Sequence, residues 1–407
     1  MHKHHPIRRA LRQRGLDSLW PVTRFWWAPG QDASVPYANP HAWVCGGAQQ
    51  LPLTVSTPAK YIYDERSKLI HAVPANALGW GAPQEPARTN LWLRNTDLQN
   101  AGAHGLNTAT NITVADGGSA GVYTHNFCTL TATAGNGTFT QAITATVASY
   151  TTSFWIRRRT GSGAIELTAD GSTWAAVTVT GLWSRVSVTQ TASAAALNIG
   201  LRIVTSGDAV DVDLAQYELG AYPSSTIPTL GVSVARAADA VRCINAGIFG
   251  PLANEGSLLW VGRYPYASNT PATVIAVGLN GHATNANNSI QLARGQSGVA
   301  TWFSIMMSGG VQQTSMPGLA GVAGQLMAAM VTWRTNNVNL YFDGALKTTD
   351  TSATMPETLD RLEIGGVVSS DTRSGAENFL VACFGRALSS AEARTLTAVP
   401  EALKWAN

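Results

Sequence analysis

The chain has 407 residues, of which 13% are charged, about half the share of a typical globular protein. Its mean hydropathy is +0.02. This composition excludes a disordered polymer, which combines low hydrophobicity with high net charge, and a coiled coil, which is rich in Glu, Lys and Leu. No uninterrupted run of about 18 apolar residues occurs, so no transmembrane helix is predicted. The net charge of +3 is too small to indicate a general nucleic-acid binder.

The four cysteines, Cys45, Cys128, Cys243 and Cys383, lie far apart in the sequence. Their spacing fits neither a disulfide framework nor a zinc knuckle. We expect four isolated, buried thiols, which is typical of a protein that folds in a reducing cytoplasm.

Residues 1–50 are predicted to form a basic, aromatic-rich arm. Five Lys and Arg side chains precede the first acidic residue, Asp17. A secretory signal needs an apolar region of about 7–15 residues after its charges, and none follows here, so no such signal is predicted. We expect the arm to anchor the chain to neighbouring proteins. The residues predicted to anchor it are Arg8, Arg9, Arg12, Arg14, Trp26 and Trp27.

Residues 51–100 are predicted to be an extended connector, and residues 101–228 a domain of β-strands. Apolar and polar residues alternate in short runs, for example at 138–144 and 209–214. Turn signals such as Asn136-Gly137 separate these runs at intervals of about 8–12 residues, which is typical of a β-sandwich. The sequence therefore predicts an all-β fold here.

Residues 229–250 are predicted to be a linker, and residues 251–407 a second β-sandwich. The pair Asp343-Gly344 between two alternating runs predicts a β-hairpin. Ser389, followed three residues later by Glu392, predicts the start of a short helix. The expected architecture is two β-sandwich (jelly-roll) domains in tandem behind an extended N-terminal arm.

The middle of the chain resembles a group of bacteriophage tail-fibre and virion proteins. The phrase at 85–91, EPARTNL, resembles the E-x-A-R-T-N-L motif that introduces a carbohydrate-binding-module-like jelly roll in those proteins. The runs at 59–64 and 72–76 look like the segment that precedes this motif. The runs at 215–220, 227–229 and 235–239 look like its closing strand and exit linker. The resemblance covers about residues 55–242 and implies a virion protein.

The last domain resembles the concanavalin A-like, laminin-G-like sandwich. The resemblance lies in LYFDG at 340–344, IGG at 364–366 and LSSAE at 388–392. It covers about residues 250–400 and implies the fold alone, because this family includes lectins, hydrolases and structural modules.

No catalytic residue is predicted. A glycosidase needs two carboxylates across the scissile bond, and the E-x-D-x-x-E strand of concanavalin A-like hydrolases is absent. Strand alternation places Asp211, Asp213 and Glu218 on the solvent side of a closing strand. Asp360 and Glu363 are likewise expected to be exposed.

No cofactor or located metal site is predicted either. The sequence lacks a G-x-S-x-G nucleophile motif and a phosphate-binding loop. A structural calcium ion is compatible with both sandwich families, but no D-x-D-x-D-G loop places one. The basic run at 157–159 is expected to be a solvated strand end, with contact to an acidic neighbouring subunit as the alternative.

Glycan binding needs only exposed aromatic and amide side chains. Tyr264 and Tyr266, on either side of Pro265, are predicted to be an exposed pair that binds glycan, and Trp302 is a third candidate. Trp174 is expected to lie in the core, because it immediately precedes an alternating run.

The sequence is interpreted as a bacteriophage virion structural protein, made in the bacterial host cytoplasm. A tail-fibre or receptor-binding component is favoured; a head-fibre or capsid-decoration protein and a polysaccharide depolymerase are the alternatives. The expected partners are other virion proteins through the arm, further copies in a homotrimer, and a host surface glycan. Neither specific nucleic-acid binding nor membrane insertion is expected.

Overall fold

The computed structural model confirms the predicted all-β fold. It describes residues 85–99, 106–119, 121–122, 127–264, 274–281, 287–296, 299–322, 324–366 and 375–398, together with six strands before residue 85. The strands are, in chain order, β1 (Thr23–Trp27), β2 (His41–Trp43), β3 (Gln50–Pro52), β4 (Thr54–Ser56), β5 (Lys60–Asp64), β6 (Leu69–Val73), β7 (Arg88–Asn90), β8 (Asn107–Thr110), β9 (Ile112–Gly118), β10 (Phe127–Ala132), β11 (Gly137–Thr144), β12 (Ser149–Thr160), β13 (Ile165–Thr168), β14 (Ala175–Val177), β15 (Ser184–Thr191), β16 (Ala196–Ile203), β17 (Ala209–Leu219), β18 (Val234–Arg236), β19 (Ala240–Ile244), β20 (Glu255–Arg263), β21 (Val274–Asn280), β22 (Ser289–Gln296), β23 (Val299–Ser308), β24 (Val311–Ala320), β25 (Leu326–Arg334), β26 (Asn337–Phe342), β27 (Ala345–Asp350), β28 (Arg361–Ile364) and β29 (Glu377–Phe384).

The helices of the described residues are short. They are α1 (Ala246–Phe249), a 3-10 turn (Gly250–Ala253) and α2 (Ser390–Thr397). The predicted start of α2 is confirmed, because Ser389 and Glu392 form a reciprocal capping box. Within the described part of the chain, no helix is long and apolar enough to cross a membrane.

The chain divides into two compact units. Unit 1 comprises Met1–Ala59, Val73–Pro86 and Ala237–Asn407, and unit 2 comprises Lys60–Ala72 and Ala87–Arg236. Segments predicted to be connector or linker therefore contribute strands to the units. One example is the pairing of β7 with β18 in unit 2.

Unit 2 is a sandwich of two antiparallel five-stranded sheets. We call the sheet with strand order β15-β12-β17-β10-β9 the covered sheet, and the sheet with order β14-β13-β16-β11-β8 the open sheet. Alternate residues of both sheets point inward and form one apolar core, which includes Phe139, Phe154 and Leu201. Beyond the outer face of the covered sheet, Ile70 packs with Val122, Trp155 and Leu214. The outer face of the open sheet carries exposed polar residues instead.

Unit 1 packs an eight-stranded sheet, with order β27-β26-β25-β20-β29-β1-β2-β3, against a seven-stranded sheet, with order β24-β23-β22-β21-β28-β19-β4. The core between them holds Trp260, Trp302, Trp333 and Phe342. A second apolar layer, which includes Leu396 of α2, covers part of the eight-stranded sheet. The hairpin predicted at Asp343-Gly344 is confirmed, because β26 pairs with β27 across it.

Part of the predicted N-terminal arm lies in unit 1. Strand β1 pairs antiparallel with β29, and β2 and β3 extend the same sheet beyond it. The unpaired N–H and C=O groups at a sheet edge are a template for such additions. Sequence alternation alone did not reveal these strands.

Three cysteines fall within the described residues, and all three are free and buried. Burial raises the pKa of the Cys128 thiol to about 12 and that of Cys243 to about 11, and it also raises the pKa of Cys383. The prediction of isolated, buried thiols is confirmed for these three, and Cys45 lies outside the described residues.

Candidate functional site

The carboxylates of strand β17 are buried, and the prediction that they face solvent is wrong. Asp211, Asp213 and Glu218 do point away from the core of unit 2, but the outer face of the covered sheet is itself buried. Asp213 accepts a hydrogen bond from the Val122 backbone N–H at 3.1 Å. Strand alternation gave the direction of Asp211 and Asp213 correctly, but not what lies above them. Glu218 is an odd number of residues further on and reaches the same face because β17 is irregular at Leu214, whose φ is +46°.

The basic run Arg157-Arg158-Arg159 forms ion pairs within unit 2. Arg159 is exposed, as expected for a solvated strand end, but Arg157 and Arg158 are only partly exposed. Arg157 Nε donates to Asp211 Oδ2 at 2.8 Å, and Arg159 Nη1 lies 3.1 Å from Asp211 Oδ1. Arg158 lies on the opposite side of the strand and pairs with Asp208 at 3.2 Å. These contacts are structural, because each guanidinium has a carboxylate partner inside the same unit.

Aromatic rings complete the surroundings of Arg157. Its guanidinium carbon lies 4.8 Å from the ring centre of Trp183 and 5.1 Å from that of Phe127. The two rings meet edge to face at 5.6 Å. A guanidinium placed over aromatic faces is attracted by their quadrupoles, which further fixes this side chain.

Glu218 lies in a buried hydrogen-bond network. Its Oε1 accepts from Gln216 Nε2 at 2.6 Å and from the Ser224 backbone N–H at 2.7 Å, while Oε2 accepts from Ser224 Oγ at 2.6 Å. Arg88 Nε lies 3.7 Å from Oε2. A carboxylate held by so many partners serves structure, because proton transfer would break the network that compensates its burial.

Three of the motifs behind the resemblance to virion proteins, at 85–91, 215–220 and 227–229, meet around Asn90 in unit 2. Asn90 is fully buried, and its Nδ2 donates to the Ile227 carbonyl at 2.9 Å. Its Oδ1 accepts from the backbone N–H groups of Trp92 at 3.0 Å and Tyr217 at 3.1 Å. Nearby, Asn95 Oδ1 accepts from the Thr229 N–H at 2.7 Å. One asparagine thus ties together segments that are more than a hundred residues apart.

The carboxylates singled out in unit 1 differ from each other. Glu363 is buried, contrary to the prediction, and accepts from Asn280 Nδ2 at 2.7 Å. Asp360 is half-buried and binds the Arg361 guanidinium through both oxygens, at 2.7 and 2.9 Å. Among the residues that the structure describes, no group of three or more His, Cys, Asp or Glu side chains could hold a metal ion.

The predicted glycan-binding aromatics lie in the core of unit 1 where they are described. Tyr264 is only 6% exposed and Trp302 only 1%, so the expected exposure is wrong and the glycan-binding prediction loses its basis there. Their rings meet edge to face at 5.2 Å, and the Arg294 guanidinium lies 4.8 Å from the Tyr264 ring centre. Tyr264 directly follows β20 and belongs to the apolar core of unit 1. Tyr266 lies outside the described residues.

The predicted anchoring residues are described only in part. Trp26 and Trp27 belong to β1, where Trp26 pairs with Ala382 of β29 and Trp27 with Val381. The four anchoring arginines, Arg8, Arg9, Arg12 and Arg14, lie outside the described residues.

Trp174 lies on the outside of unit 2, so its predicted core position is wrong. The ring is half-buried, and the Arg202 guanidinium carbon lies 4.8 Å from its centre. Arg202 projects from β16 on the outer face of the open sheet, and its Nε donates to Glu166 Oε2 of the neighbouring strand at 2.6 Å. We call Glu166, Trp174 and Arg202 the Trp174 site.

Several side chains hold the loop before Trp174 in place. Thr168 Oγ1 accepts from the Gly171 N–H at 3.0 Å and Tyr217 donates its O–H to the Ala169 carbonyl at 2.9 Å, and Asp170 and Gln190 make further contacts. Asp170 Oδ1 accepts from the backbone N–H groups of Ser172 at 2.8 Å and Thr173 at 2.6 Å. Burial opposes ionisation of Asp170, but these hydrogen bonds outweigh it and lower the carboxyl pKa to about 2. From the other side, Gln190 Oε1 accepts from the Ala169 N–H at 2.5 Å, and its Nε2 donates to the Thr173 carbonyl at 2.8 Å.

The Trp174 site borders an exposed polar surface. Across the open sheet, Arg202 stands opposite Thr138, and Thr138 stands opposite Thr110. Asn198, on the same face of β16, is exposed. An aromatic ring beside hydroxyl, amide and paired charged groups can stack on an apolar surface while exchanging hydrogen bonds at its edge.

No protein family matches the sequence, and neither does any curated protein. Among solved structures, the Trypanosoma rangeli sialidase in complex with the inhibitor DANA is 15% identical, with a TM-score of 0.32, and covers 40% of this chain. The match spans only 26% of that sialidase chain. The CBM40 of the Ruminococcus gnavus IT-sialidase is 15% identical over 36% of this chain and 84% of its own, with a TM-score of 0.30.

A third similar structure is domain 4 of AbnA, a GH43 extracellular arabinanase from Geobacillus stearothermophilus, in complex with arabinotriose. It is 15% identical over 39% of this chain and 73% of its own, with a TM-score of 0.31. Similarities this low carry no argument about what the present chain binds.

Proposed function

We propose that this chain is a non-enzymatic structural protein of a bacteriophage particle, a tail-fibre or receptor-binding component that binds a host surface glycan through unit 2. The observation that carries the proposal is the cluster around Asn90. Three of the motifs that resemble virion proteins, at 85–91, 215–220 and 227–229, are separate in sequence, yet they meet in one hydrogen-bonded cluster. Such a cluster supports a shared architecture, because isolated chance matches have no reason to converge.

The state of the carboxylates supports a binding role over catalysis. Asp211 and Glu218 are buried and engaged by charged or polar partners of the same unit. Glycoside hydrolysis needs two carboxyl groups on either side of the substrate, about 5–10 Å apart and accessible to it. The exposed surface of unit 2 instead presents an aromatic ring with hydrogen-bonding groups, which suits binding.

The position of the protein on the particle is tested by immunogold electron microscopy, using an antibody raised against this chain. We expect gold at the tail tip or along the tail fibres. Gold over the head would overturn the tail assignment in favour of a head-fibre or decoration protein. If the particles carried no gold, and mass spectrometry of the same purified particles found no copy of the chain, the virion role would be overturned.

The proposed anchoring role of the arm is tested with charge variants. Deleting residues 1–30 would also remove β1 from the sheet of unit 1, so a deletion would mix anchoring with folding. We expect joint replacement of Arg8, Arg9, Arg12 and Arg14 by Gln to abolish incorporation into particles. Replacement of the same four residues by Lys keeps the charge and is the matched control. Normal incorporation of the Gln variant would contradict anchoring through these charges.

The absence of enzymatic activity is tested with the purified chain and purified host capsular polysaccharide. We expect the polysaccharide to keep its length, with no increase in reducing ends over hours. A steady release of reducing ends would establish a depolymerase and overturn the non-enzymatic assignment.

A further inference from the structure

We infer that the Trp174 site binds one uncharged pyranose unit of a host glycan, with the sugar ring stacked on the exposed part of the Trp174 indole. This inference rests on the proposed glycan binding by unit 2 and assigns it to a place. Four observations carry it, namely the exposure of the ring, its fixed position, its polar neighbours and the local balance of charge.

Trp174 is half-buried, and its surroundings set it apart from the other tryptophans whose side chains the structure describes. Among the tryptophans whose side chains the structure describes, all except Trp174 and Trp183 are buried. The buried ones are Trp92, Trp155, Trp260, Trp302 and Trp333. Trp183 is half-buried but lies against Phe127 and under Arg157. Trp174 therefore lies on the outer face of the open sheet, and among the described residues no second aromatic ring packs on it.

The position of the ring is fixed before any ligand arrives. Asp170 and Gln190 together bind the backbone of residues 169–173, which leads directly into Trp174. The Arg202 guanidinium supports the ring from one side. A ring that is already immobilised loses little conformational entropy on binding, which is the general advantage of a preorganised site.

The polar neighbours match the hydroxyl groups of a sugar. The side chains of Arg202 and Glu166 are 26% and 17% exposed, so they can be reached from solvent while holding each other in place. Arg offers several N–H donors and Glu offers acceptor oxygens. A pyranose, whose hydroxyls both donate and accept, can bind this pair at its edge while its C–H face lies on the indole.

The charge at the site favours an uncharged ligand. The positive charge of Arg202 is balanced by Glu166 at hydrogen-bond distance. The nearby Asp170 is ionised at neutral pH because its pKa is lowered to about 2. An acidic sugar would therefore meet no excess of positive charge to compensate the desolvation of its carboxylate.

The test is direct binding of the full chain to a printed array of host O-antigen and capsular oligosaccharides, uncharged and acidic, followed by titration of the bound ones. We expect the wild-type chain to bind uncharged oligosaccharides. Trp174→Ala should lose at least about tenfold in affinity, in line with the loss of an aromatic anchor. Trp174→Tyr should retain most of the binding, because a tyrosine ring can also stack on a sugar.

Trp183→Ala is the matched control, since it removes a half-buried tryptophan of the same unit that also has a guanidinium 4.8 Å away. It should bind like the wild type. Near-ultraviolet circular dichroism checks that each variant is folded.

The possible failures can be told apart. Wild-type binding that Trp174→Ala leaves unchanged would overturn this site but not glycan binding by unit 2. Binding restricted to acidic oligosaccharides would overturn the uncharged class, even if Trp174→Ala abolished it. A wild-type chain that binds no oligosaccharide on the array, although it attaches to host cells, would overturn the proposed glycan binding and the site together.

Discussion

Arg157 and Asp211 form a charge-assisted hydrogen bond on the outer face of the covered sheet, with 2.8 Å between Nε and Oδ2. The second carboxylate oxygen accepts from Thr129 Oγ1 at 2.8 Å and from Arg159 Nη1 at 3.1 Å. Asp211 is therefore the common partner of two arginines of the basic run. The run contributes to the stability of unit 2 through this carboxylate.

We predict that Asp211→Asn lowers the free energy of unfolding of unit 2 by about 2 kcal/mol. The amide keeps the shape of the side chain but loses the charge that two guanidinium groups need, and a charged hydrogen bond contributes about 1.5–3 kcal/mol. Arg159 is 51% exposed and can turn to solvent, so we expect a smaller loss of stability than for a charged triad that is fully buried. Urea denaturation measures the change.

The control for Asp211→Asn is Asp116→Asn. Asp116 lies on the neighbouring strand β9 and is exposed, so we expect this change to stay within about 0.5 kcal/mol of the wild type. Equal losses for the two variants would show that the arginine contacts of Asp211 contribute nothing to stability.

A second prediction concerns the turn after the basic run. Gly161 has a φ of +82°, and an added Cβ would lie only 1.8 Å from Asp208 Oδ1. Gly161→Ala would strain the backbone by about 1–2 kcal/mol and push Asp208 away from Arg158. We expect a loss of about 2 kcal/mol or more in unfolding free energy, measured by thermal and urea unfolding.

Gly181→Ala is the matched control for this glycine. An added Cβ at Gly181 meets no atom within 4 Å, and its φ is not positive. We expect unchanged stability there. If Gly161→Ala were as stable as Gly181→Ala, the turn would have to adopt another conformation than the one described.

A third prediction concerns pH and helix α2. The hydrogen bond from Arg386 lowers the pKa of Glu392 from its ordinary value of 4.5 to about 2, although burial opposes this shift. Because the folded-state pKa is depressed, the stabilisation is complete above pH 4.5 and is lost as the pH falls toward 2. We expect Glu392→Gln to destabilise unit 1 by about 2 kcal/mol at pH 6 and by much less at pH 2.5.

Urea unfolding at the two pH values checks this dependence. Glu357 is an exposed glutamate of the same unit, and Glu357→Gln is the control. It should change the free energy of unfolding only slightly at both pH values. If the wild type and Glu392→Gln differed in free energy of unfolding as much at pH 2.5 as at pH 6, the Arg386 contact would not be the source of the stabilisation.

The sequence predicted local structure better than it predicted burial. Period-2 alternation identified both sandwiches, and Ser389 with Glu392 marked the start of α2, because these signals depend on neighbouring residues alone. Burial of Asp211, Glu218 and Tyr264 depends on segments that are distant in sequence. Alternation shows which face a side chain points to, but not whether another segment covers that face.

Trp174 illustrates the opposite error. A tryptophan next to an alternating run is usually a core residue. Only the tertiary structure places this one on the outer face of the open sheet. A sequence signal was present in Asp170, whose position before Gly171 and Ser172 is typical of a hydrogen-bonded turn. Such a turn ends at the surface, and Trp174 follows it by two residues.

The last prediction concerns Gln190, which holds the loop that carries Trp174. Its side chain contacts Ala169 and Asp170 through Oε1 and Thr173 through Nε2. Gln190→Ala removes all three hydrogen bonds and leaves the loop held by Asp170, by Thr168, which accepts from the Gly171 N–H, and by Tyr217, which donates to the Ala169 carbonyl. We expect faster hydrogen exchange of the backbone amides of residues 169–173, by about tenfold, while the rest of unit 2 keeps its protection.

Ser187→Ala, at an exposed position of the same strand β15, is the control and should leave exchange in the loop unchanged. Because exchange is measured without any ligand, this experiment tests the preorganisation of the Trp174 site independently of glycan binding. Unchanged exchange in Gln190→Ala would show that the remaining contacts of Asp170, Thr168 and Tyr217 are sufficient to hold the loop. Faster exchange throughout unit 2 would show instead that Gln190 stabilises the whole sandwich rather than this loop.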